Sequence, residues 1–475
     1  MGRLLEGRRV TVVGAGLAGT ECALQLAARG AAVLLVEMRP VVSTEVHRGG
    51  GFAELVCSNS LKSEKPSSAA GMMKAELDVL GSRLMDFARQ TRVPAGGALA
   101  VEREEFSALA TRAVKDCPLI EVQRREARDL SAEARETDAL VLASGPLTSD
   151  ALAASLAEAT GAESLAFYDA AAPIVMADSL DYTRVFRQSR YEEAGEGELA
   201  RGDYLNAPFT KEEYERFVDE LLGAQCTVKR SFERKDLFQA CQPIEEIARA
   251  GRDAARFGPM KPVGLTDPVT GRRPWAVVQL RAEDRAGQSF NLVGFQTNLT
   301  FPEQRRVFSL IPGFEHAEFA RYGVMHRNTF IDAPRLLDAS LRLRAAADGA
   351  PVFVAGQLAG TEGYCEAIRS GLHAAISVAA ELSGRALPLP GPQTAFGSLL
   401  AYATDPATAD YQPMHVNFGI IEPLERPVRN KGARYEAYAR RGAEAFEAYI
   451  AELDEAGLLA PARPDGAPVG PGAEA

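Results

Sequence analysis

Three glycines and one acid near the start of the chain have the spacing of a dinucleotide site. Gly14, Gly16 and Gly19 directly follow the apolar run of residues 10–13, and an Ala/Leu-rich segment follows them. In this arrangement the first glycine allows a tight turn, the second lets a pyrophosphate approach the backbone, and the third lets a helix pack against the strand. The motif therefore predicts a dinucleotide-binding loop made of Gly14, Ala15, Gly16, Leu17, Ala18 and Gly19.

The acid of this motif is Glu37, which ends the next apolar run, 23 residues after Gly14. A carboxylate at this distance can accept hydrogen bonds from both hydroxyls of the nucleotide ribose. Because it repels a 2′-phosphate, it favours FAD or NAD over NADP as the bound nucleotide. The alternative is a glycine turn that only packs a helix on a sheet.

Thiol and imidazole groups are scattered along the chain. Its six cysteines form no Cys-x-x-Cys pair, and its five histidines show no His-x-x-x-His spacing. The pattern argues against a zinc site, so no metal is predicted, and it lacks the paired cysteines of a disulfide reductase. With no signal peptide and no apolar run near the roughly 20 residues that span a bilayer, we expect a cytoplasmic protein with reduced thiols and no membrane contact.

The elements that must position these groups indicate an α/β fold. Residues 8–39 give strand, glycine loop, helix and strand, the opening of a Rossmann-like domain. A buried strand at 137–145 ends in Gly145, and a strand–glycine–helix pattern returns at 351–379 with Gly356 and Gln357 in its loop. In FAD folds such a late unit completes the site. We therefore predict a Rossmann-like two-dinucleotide FAD-binding domain assembled from both ends of the chain.

A chain of 475 residues is too long for one core, so a second domain is expected. The character of the sequence changes between 150 and 330, with more aromatic residues and isolated prolines and glycines. The predicted parts are a first FAD-binding part at 1–150, an inserted α+β substrate domain at 151–330, a second FAD-binding part with a C-terminal helix at 331–460, and a disordered tail at 461–475. Single helices are predicted over 72–90 and 430–457.

The net charge of −11 argues mildly against nucleic acid as a partner, because phosphate binding needs a cationic surface. Two local clusters remain compatible with such a surface, although a solvated face is an equally good interpretation of each. They are Lys229, Arg230, Arg234 and Lys235, and Arg426, Arg429, Lys431, Arg434, Arg440 and Arg441.

Several motifs together resemble the folate- and FAD-dependent tRNA uridine C5-methyltransferases. The resemblance covers nearly the whole chain and is carried by VTVVGAGLAGTECA, ELVCSNSLKSE, VPAGGALAVERE, FQACQPIEEIARAG, NLVGFQTNLTFPEQRRVF and GQLAGTEGYCEA. It implies a cytoplasmic enzyme that forms 5-methyluridine in the T loop of tRNA. Methylenetetrahydrofolate gives the carbon, reduced FAD serves as reductant and methylene carrier, and NADH or NADPH reduces the FAD. The resemblance implies no obligate protein partner.

The resemblance also assigns roles to particular residues. Cys57 and Cys241 match the two functional cysteines of the family, and we expect Cys241 to add to C6 of uracil and Cys57 to act beside the flavin, although these roles could be reversed. A place before the helix predicted after Pro243 would lower the pKa of the Cys241 thiol. Tyr364 matches the aromatic residue over the isoalloxazine ring.

Further residues become candidates through the same resemblance. Asn59 and Lys62 are expected to contact the flavin or its phosphates. Lys229, Arg230 and the cationic cluster at 426–441 become candidates for contact with the tRNA backbone. The remaining cysteines are expected to be inert: Cys22, Cys117, Cys226 and Cys365.

Three alternatives stay open at this point. The same chemistry could act on a uridine of rRNA. The chain could belong with the related FAD proteins that modify the wobble uridine, although those usually have a longer helical C-terminal domain. It could also be a plain NAD(P)H–flavin dehydrogenase, which the glycine motif and composition alone would allow.

Overall fold

The computed structural model describes residues 3–461, except 45, 48, 162–164, 191–201, 228–241, 346–348 and 409–410. Five residues singled out above therefore lie outside the described residues: Cys241, Lys229, Arg230, Arg234 and Lys235. The tail at 462–475 lies outside them as well.

The strands are short and are distributed over both predicted parts of the chain. They are β1 (Arg9–Val13), β2 (Ala32–Glu37), β3 (Ser60–Ser63), β4 (Arg92–Val93), β5 (Ala98–Val101), β6 (Ile120–Arg124), β7 (Ala139–Leu142), β8 (Leu165–Ala170), β9 (Ile174–Met176), β10 (Phe186–Arg187), β11 (Tyr204–Phe209), β12 (Ala276–Ala282), β13 (Ser289–Leu292), β14 (Phe319–Arg321), β15 (Met325–Phe330) and β16 (Val352–Val354).

The helices include two long ones near the C-terminus. They are α1 (Leu17–Ala28), α2 (Ala69–Val79), α3 (Arg83–Gln90), α4 (Arg103–Lys115), α5 (Leu130–Arg135), α6 (Asp150–Thr160), α7 (Lys211–Gly223), α8 (Ile244–Ala250), α9 (Ala254–Phe257), α10 (Phe301–Phe308), α11 (Ala333–Leu336), α12 (Tyr364–Ser383), α13 (Ala395–Thr404) and α14 (Lys431–Glu455). Within the described ranges, no helix is both long and apolar enough to cross a membrane.

A parallel sheet of five strands forms the centre of the first domain, in the order β16-β7-β1-β2-β6. Its strands are rich in Val and Leu and are largely buried, as parallel strands covered on both faces must be. Because β16 joins at the edge next to β7, the sheet uses both ends of the chain. The predicted Rossmann-like α/β fold built from both ends is confirmed.

One helix predicted from the sequence is wrong in detail. The segment 72–90 forms two helices, α2 and α3, instead of one. Gly81 separates them at a φ of +71°, a left-handed conformation that breaks the helix and that glycine adopts readily. Ser82 then starts α3 by accepting a hydrogen bond from the N–H of Met85.

A six-stranded antiparallel sheet forms the centre of a second unit, in the order β10-β11-β12-β13-β9-β14. Its core runs from Val175 to Phe314, whereas the first core combines residues 5–156 with residues 330–458. The strands β8 and β15 pair with each other where the chain passes between the two units. Helix α6 packs with the first core through Leu152 and Leu156, just beyond the boundary predicted at 150.

Two glycines bring helices unusually close to the sheet and to each other. A β-carbon at Gly19 would lie 1.8 Å from the carbonyl oxygen of Gly14, and one at Gly371 would lie 2.1 Å from the carbonyl oxygen of Ala18. Both obstacles are backbone atoms, which cannot rotate away as a side chain can. The contact of α1 with β1 and with α12 therefore requires glycine at these positions.

We predict that Gly371→Ala lowers the free energy of unfolding by about 1–3 kcal/mol or more, because the added methyl group overpacks a backbone contact. Urea unfolding of the purified variant measures the change. Gly223→Ala is the matched control, since a β-carbon there meets no heavy atom within 4 Å and alanine favours the helix. Equal stability of the two variants would contradict the argument.

Candidate functional site

A cleft runs along the edge of the parallel sheet at which its strands end. It is open to solvent. Five strands spaced about 4.8 Å apart make an edge about 19 Å long, which suits an extended dinucleotide. Each strand contributes lining residues: Gly356 and Gln357 after β16, residues 143–149 after β7, Val13, Gly14 and Gly16 at β1, residues 36–39 at β2, and residues 125–127 after β6.

The glycine loop presents its backbone to this cleft. Gly14 turns at a φ of +98°, and a β-carbon there would lie 2.4 Å from the carbonyl oxygen of Ala143. A β-carbon at Gly16, in contrast, meets no heavy atom within 4 Å. Gly16 is also the N-cap of α1 and makes no side-chain cap, so the first N–H groups of the helix remain available to a phosphate.

The six residues of the predicted loop divide into two groups. Gly14, Gly16, Leu17 and Ala18 line the cleft, whereas Ala15 and Gly19 do not. The N–H of Ala15 donates to Oε2 of Glu37 at 2.8 Å, and Gly19 serves the packing of α1. The loop is therefore held in place by the same acid that its spacing singled out.

Glu37 lines the cleft but is only 3% exposed, because Arg39 covers it. Its Oε1 accepts hydrogen bonds from the N–H of Arg39 at 2.9 Å and from Nε of Arg39 at 3.0 Å. Burial by itself would raise the pKa of Glu37, but the hydrogen bonds and charge of Arg39 hold it below its ordinary value. The carboxylate is thus ionised and also organises the loop, and its contact with the two ribose hydroxyls stays a prediction.

Sequence analysis missed Arg39, which is 3% exposed and bridges two acids. Besides Glu37, its guanidinium lies 3.0 Å from Oε2 of Glu54 and donates to the carbonyl of Gly51. A cation two residues after the acid was visible in the sequence. The sequence did not show that this cation is buried, because its burial depends on the return of the loop at 51–54.

Cys57 and Tyr364, which are 307 residues apart, meet at one end of the cleft and both line it. The hydroxyl of Tyr364 accepts hydrogen bonds from the N–H groups of Cys57 and Ser58, each at 3.0 Å, and donates to the carbonyl of Ser58 at 2.9 Å. Burial raises the pKa of Tyr364, so its hydroxyl keeps its proton. The first residue of α12 therefore fixes the backbone that carries Cys57.

Arginines from two further elements hold the same loop. Nη1 of Arg103, in α4, donates to the carbonyl of Leu55 at 3.1 Å, and Nη2 of Arg321, in β14, donates to the carbonyl of Val56 at 2.6 Å. Arg103 also pairs with Glu283 of the second unit at 2.6 Å. Residues 55–59, which we call the cysteine loop, are thus attached to both units of the chain.

Asn59 and Lys62 are not among the residues that line the cleft, and the contact with the flavin or its phosphates stays a prediction for both. The amide of Asn59 is fully buried; it donates to the carbonyl of Ala282 at 2.9 Å and accepts from Nε of Arg281 at 2.7 Å. Lys62 is half exposed and lies 3.6 Å from Oε1 of Glu366. Both residues connect the loop to neighbouring elements.

The remaining predicted cofactor residues do line the cleft. Gly145 and Gly356 adopt φ angles of +72° and +76°, and the N–H of Gly356 donates to Oγ of Ser370 at 2.7 Å. The amide of Gln357 donates to the carboxylate of Glu362. Loops after β7 and β16 thus meet at the end of the cleft that also holds Cys57.

Asn328, on β15, is a lining residue that sequence analysis missed. It is 1% exposed, and neither Nδ2 nor Oδ1 has a hydrogen-bond partner. No local signal could have found it, because β15 reaches the cleft only after the chain has returned from the second unit.

The segment that follows Cys241 is firmly attached, although Cys241 itself lies outside the described residues. Helix α8 begins after its N-cap, Pro243, one residue later than expected for a first-turn proline. The buried carboxylate of Glu245 accepts from the hydroxyl of Thr297 at 3.0 Å and from the N–H of Asn298 at 2.7 Å. This helix therefore belongs to the second unit.

The other cysteines that the structure describes stay away from the cleft. Cys22 and Cys365 are buried, and burial raises the pKa of both thiols, to about 11 for Cys365. Among the described residues no group of three or more His, Cys, Asp or Glu is placed to hold a metal ion.

We predict that Gly16→Ala weakens FAD binding at least tenfold and leaves the unfolding temperature of the ligand-free protein unchanged. The new methyl group meets no protein atom but occupies the space that a pyrophosphate needs. Titration of the apoprotein with FAD measures the affinity, and calorimetry of the ligand-free protein measures the unfolding temperature. Gly97→Ala, equally open but away from the cleft, should change neither. Unchanged FAD affinity in Gly16→Ala would contradict a pyrophosphate at this loop.

Comparison with known proteins shows the family to which the chain is similar. Residues 9–386 match the family model described as glucose inhibited division protein A. The methylenetetrahydrofolate–tRNA-(uracil-5-)-methyltransferase TrmFO of Geobacter sulfurreducens is 54% identical over 446 residues, covering 94% of this chain and 98% of that protein. The protein of the same name from Bacillus licheniformis is 48% identical over 435 residues, covering 92% and 97%.

Among solved structures, GidA from Aquifex aeolicus, in its form I crystal, aligns with a TM-score of 0.65. The two chains are 16% identical, and the alignment covers 94% of this chain and 78% of that one. At this identity the similarity shows a shared fold.

Proposed function

The chain belongs to the glucose inhibited division protein A family, and from that premise we propose that it is a folate-dependent enzyme that methylates C5 of a uridine in the T loop of tRNA. The observation that carries the proposal is the identity of about half of all residues with relatives named for this activity, over more than nine-tenths of the chain. The proposed co-substrates are methylenetetrahydrofolate and NADH or NADPH.

The cleft has features that fit an FAD molecule. It follows all five strand ends, Gly16 leaves room beside an uncapped helix N-terminus, and the ionised Glu37 lies where ribose hydroxyls are bound in such folds. When bound and reduced, FAD supplies the two electrons that convert a methylene group into a methyl group.

The reaction needs a thiolate because C5 of uracil is a poor nucleophile. Addition of a thiolate at C6 forms an enolate, whose C5 then attacks the electrophilic methylene carbon of the donor. Loss of the C5 proton expels the donor nitrogen and leaves a methylene group double-bonded to C5. Addition of a hydride equivalent, which is the two electrons with a proton, then forms the methyl group as the thiolate leaves C6 and the uracil ring is restored. We assign the attack to Cys241 on the basis of the family motif.

Cys57 is proposed to act at the flavin end of the cleft, where it can hold or move a proton. Its half-buried position and the three hydrogen bonds between the Tyr364 hydroxyl and its loop support this placement. The attachment of the loop to Arg321 joins it to the unit that also carries the segment after Cys241.

The start of α14 is the proposed contact for the tRNA backbone. Lys431 and Arg434 lie over the ring of Tyr435, at 5.5 and 5.8 Å from its centre, and Phe418 stacks on the same ring at 4.2 Å. Cations interleaved with aromatic rings suit a nucleic acid backbone and its exposed bases. Arg441, from the same sequence cluster, donates to the carbonyls of Glu422 and Pro423 and so has a structural task as well.

This surface lies near the Cys57 end of the cleft. The N–H of Val416 donates to Oε1 of Glu366, in the first turn of α12, and Phe418 follows two residues later, within about 7 Å along the chain. A tRNA that contacts α14 can therefore place one nucleotide near Tyr364.

We predict that the protein, given FAD, NADPH and methylenetetrahydrofolate, forms 5-methyluridine in unmodified tRNA, and that Cys241→Ala abolishes the product while the protein stays yellow. Mass spectrometry of the nucleosides measures the product. Cys117→Ala is the control, because Cys117 does not line the cleft.

The alternatives give different results in the same assay. Oxidation of NADPH by a yellow protein without methylation would indicate a plain flavin dehydrogenase and contradict the proposal. Methylation of an rRNA transcript in preference to tRNA would move the same chemistry to another substrate.

We predict that Lys431→Glu combined with Arg434→Glu weakens tRNA binding and reduces the slope of log Kd against log salt by about 1 to 2, because two phosphate contacts are lost. The double variant Arg272→Glu and Arg273→Glu changes the net charge equally at an exposed site of the second unit. An equal loss of affinity in both double variants would show a general charge effect and not a contact at α14.

A further inference from the structure

Asn328 has an unusual environment for an amide. Asn328 lines the cleft, and its two side-chain polar atoms are almost wholly buried, each without a hydrogen-bond partner. An amide buried without hydrogen bonds costs on the order of 1–3 kcal/mol, and native proteins keep very few of them. Among the side chains that the structure shows buried and unpartnered, Asn328 alone lines the cleft.

The main chain around Asn328 is held from three directions. Strand β15 pairs with β8, the N–H of Thr329 donates to the carbonyl of Pro146 at 2.7 Å, and the N–H of Ile331 donates to the carbonyl of Leu358 at 3.0 Å. The strand is thus fixed between the loop after β7 and the loop after β16. The main chain at Asn328 cannot shift toward another partner for the amide without breaking these contacts.

The neighbouring amide, Gln357, is already engaged with Glu362. Of the two side-chain amides among the described residues that line the cleft, Gln357 and Asn328, Asn328 has both its donor and its acceptor without a partner. A carboxamide presents a C=O and an N–H side by side, and its complement is a ring edge with N–H and C=O side by side, as in a lactam. Two parallel hydrogen bonds then satisfy both partners.

We propose that Asn328 recognises the lactam edge of a heterocycle bound at the Cys57 end of the cleft. The pyrimidine ring of a flavin and the pterin ring of a folate both carry this edge. The inference rests on the proposed function only in naming these two ligands, since the unpartnered amide is a property of the chain itself.

The test uses Asn328→Leu, which keeps the approximate size of the side chain and removes both polar atoms. Because no hydrogen bond is lost in the ligand-free protein, its unfolding temperature should stay the same or rise. Affinity for the recognised ligand should fall about ten- to a hundredfold, since each lost hydrogen bond is worth up to about tenfold. Titration of apoprotein with FAD, and of flavin-loaded protein with tetrahydrofolate, separates the two sources.

Asn291→Leu is the matched control. Asn291 is also buried, and its Nδ2 also lacks a partner, but it lies on β13 away from the cleft. It should leave both affinities unchanged. Asn328→Asp, which keeps the shape but loses the donor, provides a second variant that should weaken the same ligand if Asn328→Leu fails to fold.

A fall in FAD affinity assigns the flavin, and a fall in tetrahydrofolate affinity alone assigns the pterin. Affinities for both ligands within twofold of the wild type would overturn the inference. These titrations contain no tRNA, so an absence of methylation would count against the proposed function and leave the role of Asn328 intact.

Discussion

The close approach of α1 to the sheet is the contact on which the site depends. A β-carbon at Gly19 would lie 1.8 Å from the carbonyl oxygen of Gly14, so the helix can lie this close to the sheet only because glycine has no side chain. Gly371 lets α12 pack against α1 in the same way. Because both helices begin at the cleft, this packing aims the N-terminus of α1 at the glycine loop, beside the central strand, and brings Tyr364 to one end of the cleft. The binding site and the fold are thus stabilised by the same backbone contacts.

The cysteine loop shows how the two units of the chain are combined at one point. Tyr364 holds Cys57 and Ser58 from the first unit, whereas Arg321 and the Asn59–Arg281 pair attach adjacent residues to the second. A movement of the second unit relative to the sheet therefore shifts the main chain around Cys57. Such coupling suits the proposed function, because the segment that follows Cys241 belongs to the second unit.

Asn328 illustrates a cost that a binding site imposes on its own protein. A buried amide without partners destabilises the ligand-free chain, and backbone hydrogen bonds hold the strand that carries it. A ligand that completes its hydrogen bonds regains this free energy on binding. The same reasoning explains why Glu37, which is also buried, is not costly, since Arg39 and Ala15 already satisfy it.

The sequence by itself determined the elements whose signals are local. Glycine spacing, apolar runs and Glu37 predicted the Rossmann-like opening. The pattern at 351–379 predicted that the far end of the chain completes this domain. Only the tertiary structure decided which side chains face the cleft. Asn59 contacts Arg281 and Lys62 contacts Glu366, whereas Arg39 and Asn328 line the cleft. Each of these positions depends on a partner that is distant in sequence or on a returning loop. Residue type and spacing carry no information about such contacts.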